Sequence, residues 1–324
     1  MLAKVWGILT QHRWLSWPLR LVGTTVVVVW LVRQIDMPAW QRVIVAPAVL
    51  PLLGMIVVAW LFVLLGGVKF WVLYRALTPV AFRPFIQYFI VATSLGAFTP
   101  ASLGDFSLAA LLREKQIPVH TSMSVLVVDR VLTVSIYAAV FLPLTLSLLF
   151  HSAYVWWIPA SFLAGGTLLW ILSGNTVLRH LGCRVLGRLH LPFLVDFMAT
   201  TSDLLWQYPW HLLGNITLTF LRCVTAGVVI QCALWAAGEW RPFLPVLYTT
   251  NTISVLNLLP ISFAGLGMYE GGGVAILSQL GFDRERVLAA LVYQRLYIIL
   301  YSLIVLLGFR AVLTGLVSTK KEPA

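Results

Sequence analysis

The 324 residues are 60% hydrophobic and only 10% charged, with a mean hydropathy of +0.93; this excludes a water-soluble globule, because lipid must be the solvent of most side chains. The net charge of +11 does not point to nucleic acid, since Lys and Arg gather at the ends of apolar runs, where they set orientation in a membrane. The three Cys fall in predicted spans or in a cytoplasm-facing segment and imply no disulfide framework.

Along the chain, Lys4, Arg13 and Arg20 precede an apolar run over 21–32 that closes at Arg33 instead of at a small-residue cleavage site, so residues 1–42 read as an uncleaved anchor. About 20 apolar residues cross a bilayer core, and that rule predicts six full spans at 17–34, 43–66, 121–150, 153–173, 211–237 and 286–310. Two further apolar stretches, 84–118 and 243–282, are interrupted midway by Pro, Gly and small polar residues around Pro100 and Pro260. Broken backbone at membrane depth survives only where protein or a watery cavity satisfies its N–H and C=O groups, so both stretches read as re-entrant pairs of half-helices. Residues 175–210 form the one sizeable hydrophilic piece. There Arg179, Arg184 and Arg188 alternate with Leu178, Leu181 and Val185, which fits a cytoplasmic surface helix drawn to anionic headgroups and equally a linker with one apolar face packed on the protein.

With a cytoplasmic N-terminus and both broken stretches returning to the side they came from, five of the 22 Lys and Arg fall outside (Arg33, Arg42, Arg241, Arg284, Arg286). Arg130, Arg222 and Arg295 lie within spans, and the other 14 fall inside, placing both termini in the cytoplasm. The first broken stretch then follows a span running inward and the second a span running outward. Their contents match as well: from Asp105 to Arg130 and from Glu270 to Arg295 is 25 residues each. The chain therefore reads as one all-α polytopic membrane domain over 1–324. It comprises the anchor, repeat A at 43–150, a connecting region at 151–210 and repeat B at 211–318, an inverted-topology arrangement of the kind that places transport sites at the repeat interface.

Charged groups deep in a span are costly and are functional candidates by default. Arg130 lies roughly 13 Å into its span at 1.5 Å per residue, and Arg295 is about as deep from the other face. The set comprises Asp105, Asp129, Arg130, Arg222, Glu270 and Arg295, with Arg222 lacking a repeat counterpart. Either Arg130 and Arg295 grip a phosphate with their guanidinium forks, or each is neutralised by an acid (Asp105 or Asp129 for one, Glu270 for the other) and merely ties half-helices together. Gly104, Gly265, Gly267 and the run 271–273 permit sharp turns and close helix approach, and a half-helix beginning after Gly267 would aim N–H groups at an anion; plain packing of small residues explains the triple Gly as well. No His/Cys/carboxylate spacing suggests a metal, and no phosphate loop or nucleophile elbow is present, so neither catalytic residues nor a cofactor are expected.

Residues 260–271, Pro-Ile-Ser-Phe-Ala-Gly-Leu-Gly-Met-Tyr-Glu-Gly, followed by Tyr293-Gln294-Arg295, resemble the P-x-G-x-G-x-x-E…Y-R pattern of the lysylphosphatidylglycerol synthase transmembrane, flippase-like family. Leu103-Gly104-Asp105, Leu111-Leu112-Arg113 with Ile117-Pro118, and Asp129-Arg130 resemble its upstream elements, so the resemblance covers roughly 20–315. It marks Asp105, Asp129, Arg130, Gly265, Gly267, Glu270 and Arg295. It implies a stand-alone member without the family's cytoplasmic aminoacyl-transferase domain, in a bacterial inner membrane, moving an anionic or phosphate-bearing lipid such as an aminoacyl-phosphatidylglycerol or a polyprenyl-phosphate conjugate. Asp105 stands where the family has Glu, and Ala264-Gly265 where Gly-Gly is common. Membrane lipids are the expected partners, with a lipid-modifying enzyme or glycosyltransferase as a further candidate. Two other readings stand beside this one: an enzyme acting on a lipid-linked substrate, and an accessory subunit of a lipid or glycan synthesis complex.

Overall fold

The computed structural model describes residues 25, 29–98, 103–113, 117–150, 157–158, 160–161, 192–256 and 267–319, with backbone alone at 103–106, 192–194, 256 and 310–319. Every regular element among these residues is a helix. Four helices are long and apolar enough to cross a membrane: Val49–Leu77, Val119–Phe150, Pro209–Ala236 and Arg284–Phe309. They match four of the six expected spans. Those expected at 17–34 and 153–173 lie largely outside the described residues, as do Cys183 and the basic stretch from Arg179 to Arg188.

In chain order the elements are α1 (Met37–Val45), α2 (Val49–Leu77), α3 (Phe82–Gly96), α4 (Leu103–Arg113), α5 (Val119–Ile136), a π-helical turn (Tyr137–Phe141), α6 (Leu142–Phe150), α7 (Pro192–Gln207), α8 (Pro209–Ala236), α9 (Phe243–Leu256), α10 (Met268–Gln279) and α11 (Arg284–Thr319). The series from α2 to α6 and from α8 to α11 have the same order: one long helix, two short ones, one long one. Both first short helices open on Phe-x-Pro, Phe82-Arg83-Pro84 and Phe243-Leu244-Pro245. The third residue there lies in the first turn, where a missing N–H costs no intrahelical bond. In each half the two short helices pack on one another, so each broken stretch forms a hairpin. The last helix of each half packs on the first short helix of the other half; Thr145 and Thr252 share a hydrogen bond of 2.8 Å across one such contact.

α2 and α8 pack along their whole lengths. Gly54 faces Cys232, Gly66 faces Arg222 and Gly214 faces Val72, while the Asn215 side chain donates to the Lys69 carbonyl at 3.2 Å. One number falls as the other rises, so the two helices are antiparallel, and the two halves run in opposite directions. Small residues set the spacing. A Cβ on Gly67 would come within 2.6 Å of Ile86 Cδ1, and one on Gly227 within 2.7 Å of Leu247 Cδ1 and 3.1 Å of its Cα. Gly67 and Gly227 both stand eighteen residues beyond the start of their helices, Val49 and Pro209, so the close approach of first helix to first short helix occurs in both halves.

The π turn has a local cause. Pro143 offers no N–H to the preceding turn, and the helix widens just before it, at residues 137–141, instead of breaking. α7 lies against α5, where the Ser124 hydroxyl donates to the Phe197 carbonyl at 3.2 Å, and Leu204 is fully buried.

One correction to the charge count follows. The span expected at 43–66 continues to Leu77, so Lys69, counted among the cytoplasmic cations, sits inside the helix and is fully buried.

Candidate functional site

Among the described residues, two ion-pair centres lie inside the helix bundle. The first joins α2, α5 and α8. Lys69 Nζ is 3.0 Å from Asp129 Oδ1, with the side chains 1% and 2% exposed. Lys69 also donates to Thr133 Oγ1 at 2.8 Å, and Asn215 Nδ2 donates to the same Asp129 oxygen at 3.0 Å. Asn215 is fully buried, and its own Oδ1 is buried without a hydrogen-bond partner. Asp129 is thus taken by Lys69 and Asn215; of the two acids expected to neutralise Arg130, Asp129 makes no ion pair with it among the described residues, and the Asp105 side chain lies outside them. The sequence reading missed Lys69, Asn215 and Thr133. The available signal was that the apolar run resumes after Lys69 with Phe70-Trp71-Val72-Leu73-Tyr74, which makes the Lys a mid-helix residue.

The second centre joins α10 and α11. Arg295 places Nε at 2.9 Å and Nη2 at 2.7 Å from Glu270 Oε1. The other carboxylate oxygen, Oε2, accepts the Gly267 N–H at 2.8 Å. Gly267, at φ +82, occupies the left-handed region that glycine adopts without a Cβ penalty and starts α10. The expectation that this helix start would face an anion is met by the chain's own Glu270, and the acid-to-Arg spacing of 25 residues is a real contact in this half. Gly273 packs against Leu291 and Ile253, which makes that member of the triple Gly a packing residue.

Seven residues beyond Asn215 on α8 stands Arg222. Its guanidinium lies 4.2 Å over the Phe62 ring, and its Nε is buried without a hydrogen bond; no carboxylate pairs with it among the described residues. Phe62 and Arg222 are each thirteen residues beyond the first residue of their helices, Val49 and Pro209. Phe62 thus holds on α2 the position that Arg222 holds on α8. Tyr137, on the π turn, lies within electrostatic range of Arg222, Arg130 and Asp129, and Tyr269 within range of Arg295, Glu270 and Tyr137.

Arg130 is half-buried on α5, one residue beyond Asp129. Gly104 and Asp105 begin α4, where their side-chain surroundings fall outside the described residues; Pro100, Pro260 and Gly265 lie outside altogether. Of the polar residues of the broken stretches, Ser94 bonds back to the Ile90 carbonyl at 2.9 Å. Asn251 bridges α9 to α8 by donating to the carbonyls of Cys223 at 3.1 Å and Leu247 at 2.8 Å, which gives both residues helix-packing roles. No group of three His, Cys, Asp or Glu among the described residues is arranged to hold a metal ion.

Among the described residues, Lys69 and Arg295 are each paired with a carboxylate, whereas Arg222 meets the Phe62 ring and no carboxylate. No curated protein and no solved structure matches the chain. Residues 17–308 do match the lysylphosphatidylglycerol synthase TM region, a span that contains every charged residue of the two centres and Arg222. This multi-pass helical membrane protein, with a function tied to membrane lipid, belongs to the lysylphosphatidylglycerol synthase TM region family.

Proposed function

We propose that the protein is a lipid translocase of the bacterial inner membrane, with both termini cytoplasmic, that carries an anionic or phosphate-bearing lipid between leaflets. The observation that carries this reading is Arg222, which meets an aromatic ring and no carboxylate among the described residues, with its Nε buried without a hydrogen bond. A cation within apolar helices costs a few kcal/mol or more unless something balances it. Arg222 has an aromatic ring for a neighbour, where Lys69 and Arg295 have carboxylates. A phosphate supplies the missing charge, and guanidinium forks suit it geometrically. Arg130 and Arg295 flank the same region, with Glu270 holding Arg295 until a headgroup competes for it. The two short-helix hairpins, α3–α4 and α9–α10, are the re-entrant elements in this reading, and rocking of one half against the other changes which leaflet the headgroup meets.

The tail has a place as well. A cavity of about 420 Å³ lies between α2 and α11, lined by apolar and aromatic side chains that include Leu52, Met55, Trp60, Leu296 and Tyr301. Leu296 follows Arg295 directly on α11, so an acyl or prenyl chain in that cavity leaves its headgroup near the charged region.

The test is reconstitution of the purified chain in liposomes, following transbilayer movement of labelled phosphatidylglycerol, lysylphosphatidylglycerol and a polyprenyl phosphate. Acceleration of at least one of them over protein-free vesicles is expected, with loss on Arg222→Met. If none moves faster, or a covalently altered lipid appears instead, the reading is wrong.

A further inference from the structure

We propose that Lys69 and Asp129 form a proton-exchange site that couples lipid movement to the proton gradient, one proton entering with each anionic headgroup. The inference rests on the translocase reading above and adds its energy source.

The placement is what a coupling group needs. The pair joins the first long helix of one half (α2), the first long helix of the other (α8, through Asn215) and the charged last helix of the first half (α5). Any rocking of the halves must load these bonds. A buried ion pair is weak evidence for stability, because apolar residues of the same volume are often as good or better, whereas removing one partner is strongly unfavourable. The pair lies within one half, and the Asn215 bond to Asp129 ties it to the other; a buried pair set at that crossing calls for a use. The site also carries an unused acceptor: Asn215 Oδ1 is fully buried, unpartnered, and on the side chain that already binds Asp129.

The groups facing the pair set the direction of coupling. On α8 these are Arg222 and Cys223, on α5 Arg130, and on the π turn Tyr137. α7, also packed on α5, carries Asp196, which is exposed, and Asp203, half-buried. Asp129 is the one described carboxylate among the cations Lys69, Arg130 and Arg222. In the step proposed, the Asp129 carboxylate takes one proton from the water on the open side and becomes a neutral carboxylic acid, while Lys69 keeps its proton as an ammonium. The ionic tie between α2 and α5 is lost and the local charge rises by one. The bound lipid phosphate balances that rise. Release on the other side reverses both events, so a singly charged lipid and a proton cross together without net charge.

The experiment uses the full chain in vesicles of neutral phospholipid with trace labelled phosphatidylglycerol and an imposed gradient of about one pH unit. One proton per lipid supports an about tenfold leaflet ratio of the probe at steady state, since that gradient is worth about 1.4 kcal/mol. The expected result is accumulation in the leaflet facing the alkaline side, beyond protein-free vesicles. Lys69→Met with Asp129→Leu, which leaves the local charge balance intact, should give the same leaflet ratio with and without the gradient. Probe that moves but reaches an even distribution in the wild type, or a double variant that still responds to the gradient, overturns the coupling while leaving the translocase reading standing. If no lipid moves in the wild type, the translocase reading fails, and proton uptake is read separately by infrared titration in detergent. A protonated-carboxyl band that disappears in Asp129→Asn supports the exchange site; its absence in the wild type overturns it.

Discussion

Glu270 holds two donors at once, the Arg295 guanidinium on one oxygen and the Gly267 N–H on the other. Glu270→Gln keeps the shape and removes the charge, leaving Arg295 ionised with no counter-charge at that contact. The expected cost is about 3 kcal/mol, at the low end for a broken buried pair because 21% of the Arg295 side chain stays exposed. A lowered thermal unfolding midpoint in detergent checks it, and adding Arg295→Gln should recover most of the loss. Arg222 is expected to behave oppositely. Its partner is a ring, a contact worth about 1–2 kcal/mol, so Arg222→Met should unfold within a few degrees of the wild type while lipid movement is lost. A large drop in unfolding temperature with retained transport would assign Arg222 to structure. These residues were unequally legible. Glu270 and Arg295 announce themselves by spacing and by the glycine before the helix. Lys69 hides because a cation after an apolar run reads as the end of a span, and only the aromatic run following it says otherwise.

Among the elements, the contacts of α2 and α8 with the short helices depend on two glycines that differ in what blocks them. At Gly67 the nearest atom is the far end of the Ile86 side chain, which can rotate away; at Gly227 the Cα of Leu247 also stands within 3.1 Å. Gly227→Ala should therefore be the more damaging, by about 1–3 kcal/mol as overpacking costs go, with Gly67→Ala milder. Comparing the two unfolding midpoints decides the order, and equal effects would mean that α9 shifts as freely as the Ile86 side chain does. The broken stretches were readable as pairs of short helices because Pro and Gly punctuate them. The π turn was not, since one Pro inside a long apolar run is equally compatible with a kink.

For the whole molecule, the antiparallel course of α2 and α8 fixes the relation of the two halves and can be trapped chemically. The Cβ position of Gly54 lies 3.8 Å from Cys232 Sγ. Gly54→Cys, with Cys183 and Cys223 replaced by Ser, should lose both titratable thiols on mild oxidation, whereas a Cys at Val72 should leave Cys232 free. The opposite pattern would mean that the helices run parallel. The 25-residue spacing was legible in the sequence and is a contact at Glu270 and Arg295. The contact of the halves along α2 and α8 was not, because the residues that make it are mainly small and apolar and carry no spacing signal.

The meeting of Phe62 with Arg222 also bears on how such a chain arose. Were the two halves identical, as separate copies of one ancestral segment would be, that seat would hold two rings or two guanidinium groups. The first leaves the centre without charge; the second sets like charges face to face in oil. A chain free to write a different residue on each side of that contact, as this one does with Phe62 and Arg222, seats a single cation there.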